Sequence, residues 1–178
     1  GLMGGATGIA LATELAPLMT GFLLAGRVGS AMTAELATMT VTEQILAMEA
    51  MGVNPVHYLI VPRLIASMIV MPLLCAVFML IGVVGAFLTG IFIYDIDQGV
   101  FVQKLVEMVR PADVIAGLRK MFFFSIVITT VSCRQGLGVS GGAKGVGLAT
   151  TTAVVKTLLA ILCMDFLISF FQIRWLSD

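Results

Sequence analysis

Residues 64–94, LIASMIVMPLLCAVFMLIGVVGAFLTGIFIY, are 31 consecutive positions without a charged side chain, closed by Arg63 and Asp95. As a helix the stretch is about 46 Å long at ~1.5 Å per residue, against a hydrocarbon core of about 30 Å. It reads as a membrane span that tilts, kinks at Pro72 or emerges into the headgroups. Gly82, Ala86 and Gly90 recur every fourth residue, a smooth stripe on which another helix can pack closely.

The rest of the chain agrees. Of its 178 residues, 60% are hydrophobic and 11% charged, with a mean hydropathy of +1.11. A soluble domain is roughly 45–50% apolar and about 25% charged. So few charges cannot cover a globule of this size, and lipid must solvate much of its surface. Net charge is zero, so no basic field points to nucleic acid. Cys75, Cys133 and Cys163 lie far apart beside a single histidine, which argues against a zinc site or a disulfide framework. The chain begins at Gly1 without a basic leader and reads as a processed or truncated polypeptide.

Three more spans are expected, at about 8–29, 114–133 and 146–173. The first contains Glu14 and a small-residue stripe of Gly21, Ala25 and Gly29. In the second, Arg119 and Lys120 are expected to snorkel to one interface. The last carries Lys156 and Asp165, nine residues apart and roughly 180° around a helix, so they cannot pair with each other. Connecting loops are expected at 30–63, 95–113 and 134–145. Basic residues divide five against five between the two sides, so charge alone assigns no orientation. The expectation is an all-α polytopic bundle with four transmembrane helices.

Segment 31–63 is the most polar stretch. Thr40-Val41-Thr42-Glu43 fits a capping box with Thr40 as N-cap and Glu43 reaching back. A short helix is expected over 41–51, stopped by Gly52 at the C′ position and by Asn54-Pro55. Val41, Ile45 and Met48 share its apolar face. Helices that lie on lipid usually carry Lys or Arg; this one carries Glu43 and Glu49, with Glu35 upstream, which favours a protein partner. Segment 95–113 looks helical from 98 to 109, with Asp95 and Asp97 as caps and Phe101, Leu105 and Met108 on one face.

Residues 14–63, ELAPLMTGFLLAGRVGSAMTAELATMTVTEQILAMEAMGVNPVHYLIVPR, closely resemble the MlaE/YrbE permease family, membrane subunits of ABC transporters that work with MCE proteins. A second block agrees: Ser132-Cys133 through Gly136, then SGGAKGVGLATTTAVV (140–155), with Asp165 in the last helix. Ala16 departs from the family's usual glycine. The resemblance implies one permease domain over 1–178, incomplete at its N-terminus, where family members carry an interfacial helix and another span. It implies a homodimer with ABC ATPase subunits on the cytoplasmic side, an MCE-domain protein on the other, and in some systems a STAS-domain subunit. Phospholipid is the implied substrate; a sterol or fatty acid is the alternative, and a non-transporting scaffold a third reading. The implied location is the bacterial inner membrane or the plastid inner envelope.

On this reading the short helix couples to the ATPase through Glu35, Thr42, Glu43, Gln44, Ile45, Met48, Glu49 and Gly52. Glu14, Leu15, Pro17 and Leu18 are candidates for the lipid pathway. Arg27 and Arg63 bracket the coupling loop as anchors, while Lys156 and Asp165 are structural charges at membrane depth. No catalytic residue, metal or cofactor is expected in this chain. G-x-x-x-x-G-K-[ST] is absent, so ATP and magnesium belong to a partner. Gly138-Val139-Ser140-Gly141 and Tyr94-Asp95 match fragments of intramembrane protease motifs. The only histidine, His57, lies upstream of Ser140, the wrong order for a rhomboid-type serine base.

Overall fold

The computed structural model describes the backbone of residues 3–94 and 96–176 and the side chains of 6–94 and 96–172. Among the described residues there is no strand. Four helical rods are long and apolar enough to cross a membrane: Ala6–Val41, Val56–Phe92, Pro111–Leu137 and Gly142–Gln172. The four-span, all-α reading therefore stands. The spans are longer than expected and the connections correspondingly shorter.

The first rod comprises α1 (Met3–Ala10), α2 (Ala16–Leu24) and α3 (Ser30–Val41), joined without a break by π turns at Leu11–Leu15 and Ala25–Gly29. A short α4 (Gln44–Ala50) follows. The second rod opens with a π turn, Val56–Ile60, and continues as α5 (Val61–Phe92). Two of these wide turns have a chemical cause. Proline has no N–H, and its ring clashes with the carbonyl four residues back. Pro17 and Pro62 each lie two residues past the end of a π turn, where the extra residue per turn moves that carbonyl aside. Pro72 lies inside α5, which continues helical past it. The remaining elements are α6 (Gln98–Met108), α7 (Pro111–Leu137) and α8 (Gly142–Leu176).

Polarity is inverted relative to a soluble protein. Large apolar side chains such as Leu23, Ile81 and Phe166 face outward, while Thr20, Thr33, Ser67, Ser125, Thr129, Ser132 and Thr157 are buried among Met71, Cys75, Met121, Phe124, Ile128 and Ile161. With lipid as solvent, apolar burial gives no net drive, so close packing and interhelical hydrogen bonds hold the bundle. Thr129 donates to Ser67 at 2.7 Å. Thr33 donates to the Ser132 carbonyl at 3.0 Å.

α7 lies against the first rod at two glycines. A Cβ at Gly117 would fall on the Ala12 carbonyl, and one at Gly136 would stand 2.7 Å from Leu36 and 2.9 Å from the Thr33 carbonyl. The Gly21-Ala25-Gly29 stripe meets Phe124, Ile161 and Ile128 of α7 and α8. The stripe on α5 receives Leu11 at Gly82 and the Phe101 ring at Gly90, so it takes up side chains rather than a helix backbone.

The Thr40 hydroxyl contacts the Gly136 carbonyl at 3.3 Å, placing connections 42–55 and 138–141 at one end of the bundle. At the other end α6 packs on α1. The expected Asp97 cap is present, its carboxylate accepting from the N–H groups of Gly99 and Val100 at 2.9 and 3.2 Å. Asp95 lies outside the described residues. Phe101 is buried, and Leu105 and Met108 are half-buried beside it, as their spacing requires.

Candidate functional site

Among the described residues Lys120 is the most deeply buried charge, with a side chain 1% exposed. Its Nζ donates to Glu14 Oε1 at 2.7 Å, to Asp165 Oδ1 at 3.1 Å and to Ser169 Oγ at 2.8 Å. All three ammonium donors are used. Ser169 Oγ also reaches Glu14 Oε1 at 3.3 Å. The partners come from the first π turn and from α8 while the lysine stands on α7, so one cation joins three membrane segments.

The expectation that Lys120 snorkels is corrected. It lies nine residues after Pro111, about 13 Å along the helix at ~1.5 Å per residue. It also shares a helix face with Ala116, Gly117, Met121 and Phe124, all buried. A side chain on that face meets the other helices, not the interface. Arg119, one position round, is exposed. The signal was present in the sequence: position 120 keeps helical spacing with Gly117 and Phe124, and two carboxylates elsewhere lacked a partner.

The sequence-selected residues near this cluster fall into different environments. Glu14, with 45% of its side chain exposed, sits in the π turn beside exposed Leu15, while Pro17 is buried and Leu18 half-buried. Asp165 is the inner carboxylate, 14% exposed. Lys156 is exposed on α8, away from this cluster in sequence, and Arg27 is exposed at the second π turn.

At the opposite end of the bundle the capping box is also corrected. α3 runs to Val41, so Thr40 lies within a helix and its hydroxyl bonds the Leu36 carbonyl at 2.9 Å. Nothing between Ser30 and Val41 breaks a helix, and a mid-helix threonine donates to the carbonyl four residues back. Glu43 is left-handed at φ 60°, the only positive-φ non-glycine among the described residues, and its side chain caps nothing. The short helix is therefore Gln44–Ala50 rather than 41–51.

Its end matches expectation. Gly52 has φ +77°, with Gly52 N–H on the Glu49 carbonyl at 2.9 Å and Val53 N–H on the Met48 carbonyl at 3.0 Å, the two bonds of a Schellman motif. Asn54 Oδ1 accepts from Val56 N–H at 3.0 Å and starts the next rod. α4 buries no residue. Thr42, Glu43, Gln44 and Glu49 are exposed, while Ile45 and Met48 are half-buried. A shallow concavity of about 340 Å³ is bordered by Glu49, Gly52, Asn54 and Val56. Arg63 Nη2 holds Glu35 Oε2 at 3.0 Å.

Among the described residues, no cluster of three or more His, Cys, Asp and Glu is placed to hold a metal, and His57 and Ser140 are both exposed. A cleft of about 560 Å³ between α1, α5 and α6 is bordered by Gly8, Leu11, Met79, Leu80, Leu105 and Val106. It offers apolar volume without a titratable group.

A family model described as Permease MlaE matches residues 1–171. A probable ABC transporter permease protein of Rickettsia prowazekii is 41% identical over 93% of this chain and 64% of its own length. One from Synechocystis is 39% identical over 99% of this chain and 67% of its own length. The chloroplast protein trigalactosyldiacylglycerol 1 of Arabidopsis thaliana is 37% identical over 99% of this chain and 50% of its own length. The chain thus spans about two thirds of these bacterial relatives and half of the plant one.

Proposed function

The chain belongs to the MlaE permease family, and from that premise we propose that it is the membrane subunit of an ATP-driven transporter that moves phospholipid between membranes. The carrying observation is Glu14, a carboxylate within the first membrane rod that is anchored to a buried ammonium yet remains half-exposed beside an exposed leucine. A carboxylate in that position costs several kcal/mol unless something polar meets it. A lipid headgroup passing along the protein would do so, with acyl chains against the apolar surface around it. That a plant relative carries a galactolipid's name supports lipid over other hydrophobic cargo.

On this reading Lys120, Asp165 and Ser169 fix the carboxylate's position. Two copies of the chain enclose the lipid path in the bacterial inner membrane or its plastid counterpart. ATPase subunits, which bind ATP and magnesium, dock on α4, whose acidic exposed side and lack of buried residues suit a partner's cleft. An MCE-domain protein faces the α6 end, and a STAS-domain subunit is a further expected partner. Closure of the ATPases moves α4 and changes the cavity between the copies.

The test is transport of labelled phospholipid by the full-length protein reconstituted with its partners, alongside mass spectrometry of copurified lipid. Glu14→Gln and Glu14→Ala are expected to slow transport while protein levels hold. Wild-type transport in both variants would overturn the role of Glu14. A copurified sterol or fatty acid in place of phospholipid would redirect the substrate, and absence of any ATPase would leave a scaffold.

A further inference from the structure

We infer that Glu35 and Arg63 form a clasp that makes the two membrane rods flanking α4 move as one body, so that displacement of α4 reaches the bundle through this ion pair. The inference rests on the proposed reading that a partner ATPase drives α4.

Little holds α4. It buries no residue, and among the described residues its extensive packing is with α3. Force applied to α4 can leave it by two routes: through Thr42 and left-handed Glu43 into α3, or through the Gly52 turn into α5. The α3 route ends on a fixed body, because Thr33 and Thr40 donate to the carbonyls of Ser132 and Gly136 on α7. The α5 route begins at a π turn with no buried residue, a wide turn able to absorb motion. Arg63 stands in α5 just past that turn and reaches across to Glu35 on α3 at 3.0 Å. With the pair closed, the root of α5 is referred to α3 and α7. With it open, α5 can turn separately.

Arg63 is built for such a link. Its side chain is 19% exposed against 64% for Glu35. One guanidinium nitrogen takes the carboxylate, while Nη1 is buried without a hydrogen-bond partner. A guanidinium fork offers two parallel bonds to a carboxylate, so the grip on Glu35 can tighten as α3 and α5 approach. A half-exposed ion pair contributes little to stability, so a purely structural role predicts almost no effect of its removal.

The experiment uses the full-length protein with its ATPase in proteoliposomes and compares Glu35→Gln, Arg63→Gln and the double variant. Lipid moved per ATP hydrolysed is expected to fall about tenfold in each single variant, the scale of a typical coupling energy. The double variant should match the singles, because one clasp can be lost only once. Wild-type lipid per ATP in Glu35→Gln, or additive losses in the double variant, would overturn the clasp; additivity would instead make Arg63 an independent headgroup anchor. Hydrogen exchange on the protein alone gives a readout that needs no ATPase. Glu35→Gln should raise exchange in the first turns of α5, and unchanged protection there would overturn the clasp even if the ATPase reading had already failed.

Discussion

Replacing Lys120 by methionine removes the cation that Glu14 and Asp165 share and leaves the stem volume nearly intact. Three hydrogen bonds of 2.7–3.1 Å are lost, and two carboxylates face each other with nothing between them. Breaking a buried pair by removing one partner costs about 3–5 kcal/mol. Asp165, 14% exposed, bears most of that cost, while Glu14 at 45% recovers part of its solvation. A net loss of about 3 kcal/mol is expected, toward the lower end. For a chain of this size that lowers Tm by roughly 6–12 °C at ~2–4 °C per kcal/mol. The assay is thermal unfolding of the full-length protein in mild detergent, with Lys156→Met as the exposed-lysine control. The triple variant with Glu14→Leu and Asp165→Leu should recover stability, since an apolar replacement of a buried ionic group is often neutral or better, but it should not transport lipid. A Tm within about 2 °C of wild type for Lys120→Met, under 1 kcal/mol on that scale, would refute the claim that the ammonium joins the three segments.

Two further outcomes follow from the same geometry. Gly117→Ala places a Cβ on the Ala12 carbonyl and should cost about 1–3 kcal/mol as α7 is pushed off the first rod. Gly85→Ala meets nothing within 4 Å and should be neutral or stabilising by up to about 1 kcal/mol; thermal unfolding of the pair reads the difference directly. Glu43→Lys combined with Glu49→Lys reverses the exposed acidic side of α4 and should release the ATPase on copurification, whereas an intact complex with unchanged hydrolysis would contradict docking at α4.

The two corrected details share a cause. Lys120 was expected at an interface because a lysine near a helix end usually reaches water. What placed it inside was the face it shares with Gly117 and Phe124 and the presence of Glu14 and Asp165 on two other segments. Those carboxylates stand 106 and 45 positions away along the chain, beyond the reach of any local pattern. Thr40 matched a capping box because the motif specifies four residues and says nothing of the helix before them. Once α3 runs through Thr40, the hydroxyl turns to Leu36 and the chain breaks at Glu43. Gly52 was read correctly because its cue is local: a left-handed residue after a short helix needs no distant partner.

By itself the sequence determined the class of protein, its four membrane spans, the α6 cap at Asp97 and the turn at Gly52, because hydropathy, helical period and backbone preference act over a few residues. It also carried the family, through motifs distributed along most of the chain. Only the tertiary structure decided which charges meet and which surfaces stay open. It gathered Glu14, Lys120, Asp165 and Ser169 at one depth, joined Glu35 to Arg63, and left α4 exposed between two left-handed turns. In lipid a buried charge persists where another segment supplies its partner, and that pairing exists only once the helices have packed.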